Sequence, residues 1–377
     1  MSIFLSSGEA SGDHYTANVA LALRAAGYDG ELWGMGGVES RGAGVRLEWA
    51  GDKLQLLGLT EVLTAIPSLF AMGKDIVRRV LKERPECVVV ADSPDFHMRL
   101  IKMLRVGGYD GRIYYISPPS VWAWRSGRTE SLRHYVDECL PLFEFEHDYL
   151  VSRGCRSLWV GYPMLEEFSQ RVIRQSLPDF LASDDRLVAI LPGSRRSETS
   201  KLLPVLERSA EALASRGWHP VFSVAPGLNP AVRESMLERF KKNGTDYYEG
   251  PGRHLLSAAK CAIGASGTVT VESMLLDCYM IVTYKLNPLS AMIGRRVIRT
   301  KRYAMANILA GCDMFPELMQ ENATVENILK SSLAWLDGTD ADRSARTAVM
   351  ERTRAKLGEP GCYKKWAGRI LEAAVRC

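Results

Sequence analysis

Asp92 is the residue whose type and position best suit proton transfer. It follows the apolar run Val88-Val89-Val90 in the segment Ala91-Asp92-Ser93-Pro94-Asp95-Phe96. A strand ending there would present the carboxylate at its carboxyl end, partly desolvated and able to accept a proton from an attacking hydroxyl. A cap or turn residue is the plainer alternative, and Asp95 reads as the cap of the helix that follows. The pair makes a poor metal site. No third ligand is evident, and the six histidines show no ligand spacing.

Three further loops suit an anion or a sugar, each between a strand-like run and a helix-like run. In Ser7-Gly8-Glu9-Ala10-Ser11-Gly12-Asp13, the glycines let the backbone approach a ligand and the helix start offers N–H groups. The loop lacks the Gly-x-Gly-x-x-Gly spacing, and Glu9 sits poorly beside a pyrophosphate. A sugar or acceptor loop is the sharper reading, and a tight turn capped by Asp13 the plainer one. In Leu191-Pro192-Gly193-Ser194-Arg195, Gly193 and Ser194 expose donors and Arg195 can fork onto a diphosphate. The alternative is an ordinary turn with a surface arginine. In Ala265-Ser266-Gly267-Thr268-Val269-Thr270-Val271-Glu272, Ser266, Gly267 and Thr268 suit an anion, and Glu272 could accept bonds from ribose hydroxyls. A capping box is its plainer reading.

Two of the eight tryptophans, Trp122 and Trp124, stand with Arg125 in a loop stiffened by Pro118 and Pro119. Such a loop is expected to bind something, with core packing the alternative for one indole. Residues 54–72 are unusually apolar for a connection and include Leu57, Leu63, Leu69 and Phe70. Arg295, Arg296, Arg299, Lys301 and Arg302 form a basic cluster. An apolar face with basic residues suits an anionic lipid surface; a buried helix and a solvated face are the bland alternative.

The elements that must position these loops alternate between β-branched runs and helical stretches, which predicts an α/β protein with parallel sheets. Strands are expected at 3–6, 31–34, 87–91, 112–116, 138–140 and 158–160, with helices at 13–26, 69–83, 96–106, 127–135 and 146–153. The pattern loosens into a linker around 178–185 and restarts with strands at 187–191, 221–225, 247–249, 261–264 and 280–283. A long helix runs to about residue 215, and the chain reads as mostly helical from Pro288, ending in a helix at 363–375. Two doubly wound halves would place ligands at the carboxyl ends of their strands, in a central cleft between them.

The length of 377 residues suits two or three domains at roughly 150 each. With 46% hydrophobic and 24% charged residues the chain is globular, and its net charge of +4 is too mild to argue for nucleic acid. The eight scattered cysteines read as buried thiols in a reducing compartment. The N-terminus shows neither a basic n-region nor a long apolar core, and no run of about 18 uncharged apolar residues occurs. A cytoplasmic protein is expected.

Taken together and in order, six motifs resemble the lipid-A-disaccharide synthases. They are Ser-Gly-Glu-Ala-Ser-Gly-Asp at 7–13, Leu-Gly-Leu-Thr-Glu-Val-Leu at 57–63, Asp-Ser-Pro-Asp-Phe at 92–96, Ser-Val-Trp-Ala-Trp-Arg at 120–125, Leu-Pro-Gly-Ser-Arg at 191–195, and Ser-Gly-Thr with Glu at 266–272. The resemblance implies a GT-B fold of two Rossmann-like doubly wound domains. It also implies an inverting, metal-independent hexosyl transfer without cofactor. UDP-2,3-diacylglucosamine and 2,3-diacylglucosamine 1-phosphate (lipid X) would give the β-1′,6-linked disaccharide of lipid A and UDP.

By position, Asp92 matches the family's essential aspartate and Arg195 its essential arginine. Gly193, Ser194, Ser266, Gly267, Thr268, Glu272 and Asn307 fall to the nucleotide-sugar site. Gly8, Glu9, Ser11, Gly12, Trp122, Trp124 and Arg125 fall to the acceptor site, and Leu57, Leu63, Leu69, Phe70, Arg295, Arg296 and Arg299 to membrane contact. Four departures stand out: Ala306 replaces a proline before Asn307, Pro119 stands in the tryptophan loop where the family varies in composition and spacing, Tyr162 replaces a histidine, and Val269-Thr270-Val271 a more alanine-rich run.

The expected domains are 1–177 for acceptor and membrane, 186–360 for UDP-sugar, and a helix over 361–377 packing back on the first. Peripheral attachment to the cytoplasmic face of the inner membrane is expected, no nucleic acid, and a homodimer is admitted. A UDP-sugar 2-epimerase on the same fold is the main rival. A non-catalytic nucleotide-sugar-binding membrane protein and a dehydrogenase are further alternatives.

Overall fold

The computed structural model describes residues 1–54, 61–165, 167–168, 173, 176–193, 196–224, 228, 230–285 and 300–374. The chain divides into two compact units, Met1–Pro163 with Leu357–Cys377, and Met164–Lys356.

In the first unit six parallel strands, β1 (Ser2–Ser7), β2 (Glu31–Gly36), β3 (Arg46–Ala50), β4 (Cys87–Ala91), β5 (Arg112–Ile116) and β6 (Glu138–Leu140), lie in the order β3-β2-β1-β4-β5-β6. Helices α1 (Ala10–Ala25), α2 (Val38–Gly42), α3 (Glu61–Glu83), α4 (Pro94–Val106), α5 (Arg128–Tyr135) and α6 (Glu144–Ser152) connect them. Every residue of β4 is buried, as expected of an interior strand covered on both faces. Phe4, Trp33, Val88, Val90, Ile101, Leu104 and Tyr115 share its core. The last helix, Cys362–Ala374, packs on α1, and its Arg369 forks onto Glu138 at 2.8 and 3.1 Å.

The second unit repeats the winding. Strands β7 (Leu187–Leu191), β8 (His219–Ser223), β9 (Tyr247–Tyr248), β10 (Cys261–Ala265), β11 (Met280–Tyr284) and β12 (Glu317–Met319) lie in the order β12-β11-β10-β7-β8-β9. In each sheet the first strand is central, the next two step to one side and the last three to the other. That order makes a topological switch point between β1 and β4, and again between β7 and β10.

The expectations need several corrections. Helix α1 starts at Ala10, three residues ahead of the expected Asp13. Helix α3 starts at Glu61, ahead of the expected residue 69, and carries Pro67 inside it. The segment 158–160 is no strand: beyond the isolated bridge of Ser157 to Cys139, Trp159 donates to the Leu142 carbonyl and Gly161 turns at φ 116°. Strands β3 and β12 were not expected. Both are short, and β3 alternates charged with apolar residues. The stretch 178–185 holds a helical turn, Asp179–Ala182, and belongs to the second unit. The boundaries fall after Pro163 and after Lys356, each earlier than expected. Cysteines 87, 139, 155, 261, 278 and 362 are buried, but Cys312 is exposed beside the left-handed Gly311 turn; Cys377 lies outside the described residues. No helix among the described residues is long and apolar enough to cross a membrane.

Candidate active site

At the first switch point the loop after β1 carries Gly8 to Gly12 and the loop after β4 carries Asp92. Asp92 and Ser93 both adopt left-handed backbone, φ 55° and 45°. Non-glycine residues rarely do so, at a cost of order 1–3 kcal/mol each. Three bonds hold Asp92 there. Its N–H donates to the Ile116 carbonyl at 3.1 Å, and its own carbonyl accepts from the Tyr115 hydroxyl at 3.0 Å and from His97 Nδ1 at 2.8 Å. A carbonyl only accepts, so His97 carries its proton on Nδ1, and Nε2 accepts from the Ser6 hydroxyl at 2.9 Å. His97 is fully buried, and burial pulls it down to about 4 against a weaker pull upward from Asp92. It is neutral at physiological pH and works as a brace behind Asp92.

The Asp92 carboxylate is half-buried. Oδ2 accepts from Ser11 Oγ at 2.6 Å, and Oδ1 accepts from the Ser93 N–H at 2.9 Å. Each oxygen keeps a lone pair for another proton donor. Gly12 lets α1 come this close, since a Cβ there would lie 3.0 Å from the Ala91 carbonyl oxygen and 3.3 Å from Asp92 Cβ. Gly8 is buried, and Glu9 is half-buried at the start of α1. Asp13 does not cap its own helix, as the sequence suggested. It lies inside the first turn of α1 and accepts from the N–H groups of Gly37 (2.7 Å), Glu39 (3.0 Å) and Ser40 (3.3 Å), so it caps α2.

The tryptophan loop follows β5. Trp122 is half-buried, donates from Nε1 to Glu146 at 2.9 Å and meets Phe145 edge-on at 4.9 Å. Burial pushes Glu146 up to about 7, against the bonds it accepts from Trp122 and from the backbone at Phe143 and Leu142. Trp124 is exposed, with the Arg125 guanidinium over its ring at 4.4 Å. Asp95 is not the helix cap. Ser93 is the N-cap of α4, and the N–H groups of Phe96 and His97 both go to its carbonyl. The Asp95 carboxylate turns outward and pairs with Arg125 at 3.0 Å and with Arg128.

At the second switch point Gly193 turns at φ 98°, which only glycine adopts freely. Ser194 and Arg195 lie outside the described residues. After β10, Ser266 is half-buried and donates to the Tyr303 carbonyl at 3.3 Å, while Gly267 and Thr268 are exposed. Thr268 is the N-cap of the helix Val269–Leu275 and makes no side-chain cap bond, so the capping-box alternative is not realised. Glu272 is half-buried in the first turn of that helix. Thr270 Oγ1 donates to the Gly267 carbonyl at 2.9 Å and accepts from the Ala306 N–H at 3.3 Å, tying that helix to Met305–Ala310.

Asn307 is fully buried. Its amide donates to the Phe315 carbonyl (2.8 Å) and to Glu317 (2.9 Å), and accepts from the Phe315 N–H (2.8 Å). Both its N–H groups are engaged within the unit, and Asn307 holds the segment that ends in β12. Glu317 also accepts from the N–H groups of Tyr303 and Ala304, at 2.9 to 3.1 Å. Sequence reasoning missed Glu317, His97, Tyr115, Arg128 and Glu146. Apart from the His97 bond to the nearby Asp92 carbonyl, their partners come from other elements or loops, and no local pattern marked them.

Of the membrane candidates, Leu69 is half-buried and Phe70 exposed, with Lys74 Nζ 4.9 Å from its ring centre. Leu63 belongs to α3 but its side chain is outside the described residues, as are Leu57, Arg295, Arg296 and Arg299 altogether. Tyr162, where the resemblance puts a histidine, is buried and stacked on Phe143 at 5.3 Å. Among the described residues no three His, Cys, Asp or Glu side chains converge as metal ligands.

A family model described as lipid-A-disaccharide synthetase matches residues 3–369. A lipid-A-disaccharide synthase of Myxococcus xanthus is 32% identical over 378 residues, taking in 98% of this chain and 97% of the relative. One from Anaeromyxobacter sp. (strain K) is 33% identical over 376 residues, with 98% and 96% covered. Among solved structures, a UDP-N-acetylglucosamine 2-epimerase from Rickettsia bellii matches with TM-score 0.65 at 14% identity, over 100% of this chain and 97% of that one. At that identity the likeness concerns the fold, which is of the GT-B type.

Proposed function

The chain belongs to the lipid-A-disaccharide synthase family, and from that premise we propose which residues perform the transfer. The reaction condenses UDP-2,3-diacylglucosamine with 2,3-diacylglucosamine 1-phosphate to the lipid A disaccharide 1-phosphate and UDP. Asp92 is the general base. It takes the proton of the acceptor hydroxyl as that oxygen attacks the anomeric carbon from the face opposite UDP. A positioned carboxylate of this kind gives roughly 10²–10⁴-fold. The observation that supports it is the left-handed backbone of Asp92, braced from behind by His97 and Tyr115, with the carboxylate held by Ser11 and the Ser93 N–H. Strain maintained by so many bonds at a switch point fits a functional carboxylate.

The donor belongs to the second unit. Gly193, Ser194, Ser266, Gly267 and Thr268 offer N–H groups and hydroxyls to the diphosphate, Arg195 neutralises the charge developing on departing UDP, and Glu272 accepts from ribose. Gly8, Glu9, Ser11, Gly12, Trp122, Trp124 and Arg125 belong to the acceptor. Both substrates carry acyl chains, so the protein attaches peripherally to the cytoplasmic face of the inner membrane. Leu57, Leu63, Leu69 and Phe70, with Arg295, Arg296 and Arg299, make that contact.

The test separates transfer from epimerisation. Purified protein is incubated with the UDP-linked donor, with and without the 1-phosphate acceptor, and both UDP and disaccharide are followed. UDP release that requires the acceptor and matches disaccharide formation is expected. UDP release or inversion at C2 from donor alone would overturn the assignment.

A further inference from the structure

We propose that Arg125 and Arg128 form the binding site for the phosphate monoester of the acceptor, and that Asp95 occupies this site until the phosphate displaces it. The proposal rests on the reading of this chain as a transferase that uses a glucosamine 1-phosphate acceptor. It adds the residues that recognise the one group of that acceptor which takes no part in bond making.

Both arginines converge on a single oxygen of Asp95, Oδ1. Two guanidinium groups against one carboxylate leave an excess of one positive charge. The nearest other acid on α5, Glu130, is taken by Arg133 at 2.7 and 2.9 Å and by His134 at 3.5 Å. The Asp95 side chain is 70% exposed, and ion pairs so open to water contribute little and exchange readily. The arginines are better held than their partner. Arg125 is turned into left-handed backbone at φ 48° and lies over the Trp124 ring, and the Arg128 guanidinium is 5.9 Å from the same ring. A phosphate dianion offers three oxygens to two forks where Asp95 presents one, and charge-assisted bonds of that geometry are the strong ones.

Asp95, the partner of both arginines, stands in the first turn of α4, three residues after the proposed base. The acceptor carries its attacking hydroxyl on C6 and its phosphate on C1, and the carbons that bear these groups, C5 and C1, flank the same ring oxygen. Recognising the phosphate here would bring the hydroxyl toward the carboxylate.

The phosphate is unchanged in the reaction, so its binding should appear in KM rather than kcat. The experiment compares kcat and KM for the 1-phosphate acceptor and for the same diacylglucosamine without phosphate, in the parent, Arg128→Gln, Arg128→Lys and Asp95→Asn. The parent is expected to prefer the phosphorylated acceptor by roughly 10–100-fold in kcat/KM, the worth of one or two charged hydrogen bonds. Arg128→Gln should remove most of that preference through KM, leaving the KM for donor unmoved. Arg128→Lys should restore part of it, and Asp95→Asn should keep or enlarge it. If Arg128→Gln lowers kcat/KM equally on both acceptors, the arginines only brace the loop and the proposal fails. A parent that transfers to both acceptors alike also overturns it while leaving the transferase reading intact; a parent that transfers to neither overturns that reading instead.

Discussion

At Asp92 the backbone is held in a conformation it would not choose, and the groups that hold it are buried and uncharged. The consequence is a sensitivity to acid. His97 titrates near 4 in the folded chain, against about 6.5 when exposed. A folded value below the unfolded one means that protons bind the unfolded chain preferentially. His97 therefore leaves stability intact above pH 6.5 and erodes it as pH falls from 6.5 through 4, by about 3 kcal/mol at most. Denaturant unfolding followed between pH 7 and 4 should show that slope in the parent and a flatter one in His97→Asn. The same residue has a kinetic signature. His97→Leu removes the donor to the Asp92 carbonyl and should lower kcat by about tenfold or more with KM little changed. His97→Asn, which keeps an N–H near the position of Nδ1, should recover part of the loss. Equal kcat in His97→Leu and the parent would remove His97 from the account. The position of Asp92 at the end of β4 was legible because an apolar β-branched run makes the end of a strand visible in sequence. His97 was not, because its hydroxyl partner Ser6 is 91 residues away. Asp13 and Asp95 were misjudged for the same reason. Each has a sensible local role as a cap, and a partner from another element took the side chain instead.

Among the elements, strands with buried, apolar centres were readable to their ends: β4, β5, β6 and β7 run over the residues expected of them. What escaped were the edge strands β3 and β12. Their residues are only partly buried, so their sequences carry little of the apolar signal that marks an interior strand. The early start of α3 was missed because its first turns fall in the apolar stretch 54–72, which reads as a connection. One carboxylate makes three of the bonds that join α1 to α2, beside those of Thr16 with Ser40 and His14 with Glu39. Asp13 accepts three N–H groups, from Gly37, Glu39 and Ser40. Asp13→Ala leaves these donors without their acceptor and should cost about 1–2 kcal/mol in denaturant unfolding. Asp13→Asn, which keeps one acceptor oxygen, should cost less. An unchanged midpoint in Asp13→Ala would show that water replaces the carboxylate there without loss.

At the scale of the whole molecule, both units wind their strands in the same order, and in each the switch point lies where the sequence places its ligand-suited loops. That much was legible, because the loops and the strand ends are fixed by local pattern. The proposed membrane contact rests on composition alone. Phe70 is 49% exposed on α3, and a lipid surface would cover it. Replacing Leu69 and Phe70 by serine should weaken binding to anionic vesicles by about tenfold or more, since each apolar side chain that enters lipid contributes about 1.5–3 kcal/mol when fully buried and about 1.4 kcal/mol is tenfold. Vesicle binding as tight as the parent's would return that segment to the protein's own packing. The account as a whole depends on one carboxylate taking the acceptor's proton, and Asp92→Asn tests it most directly, since the change keeps the shape and removes the basicity. Turnover with both substrates and UDP affinity should be measured on the same preparation. The account predicts a fall in kcat of roughly 10²–10⁴-fold with UDP affinity nearly unchanged. Near-parental turnover in Asp92→Asn, with Glu9→Gln or Asp95→Asn inactive, would contradict it.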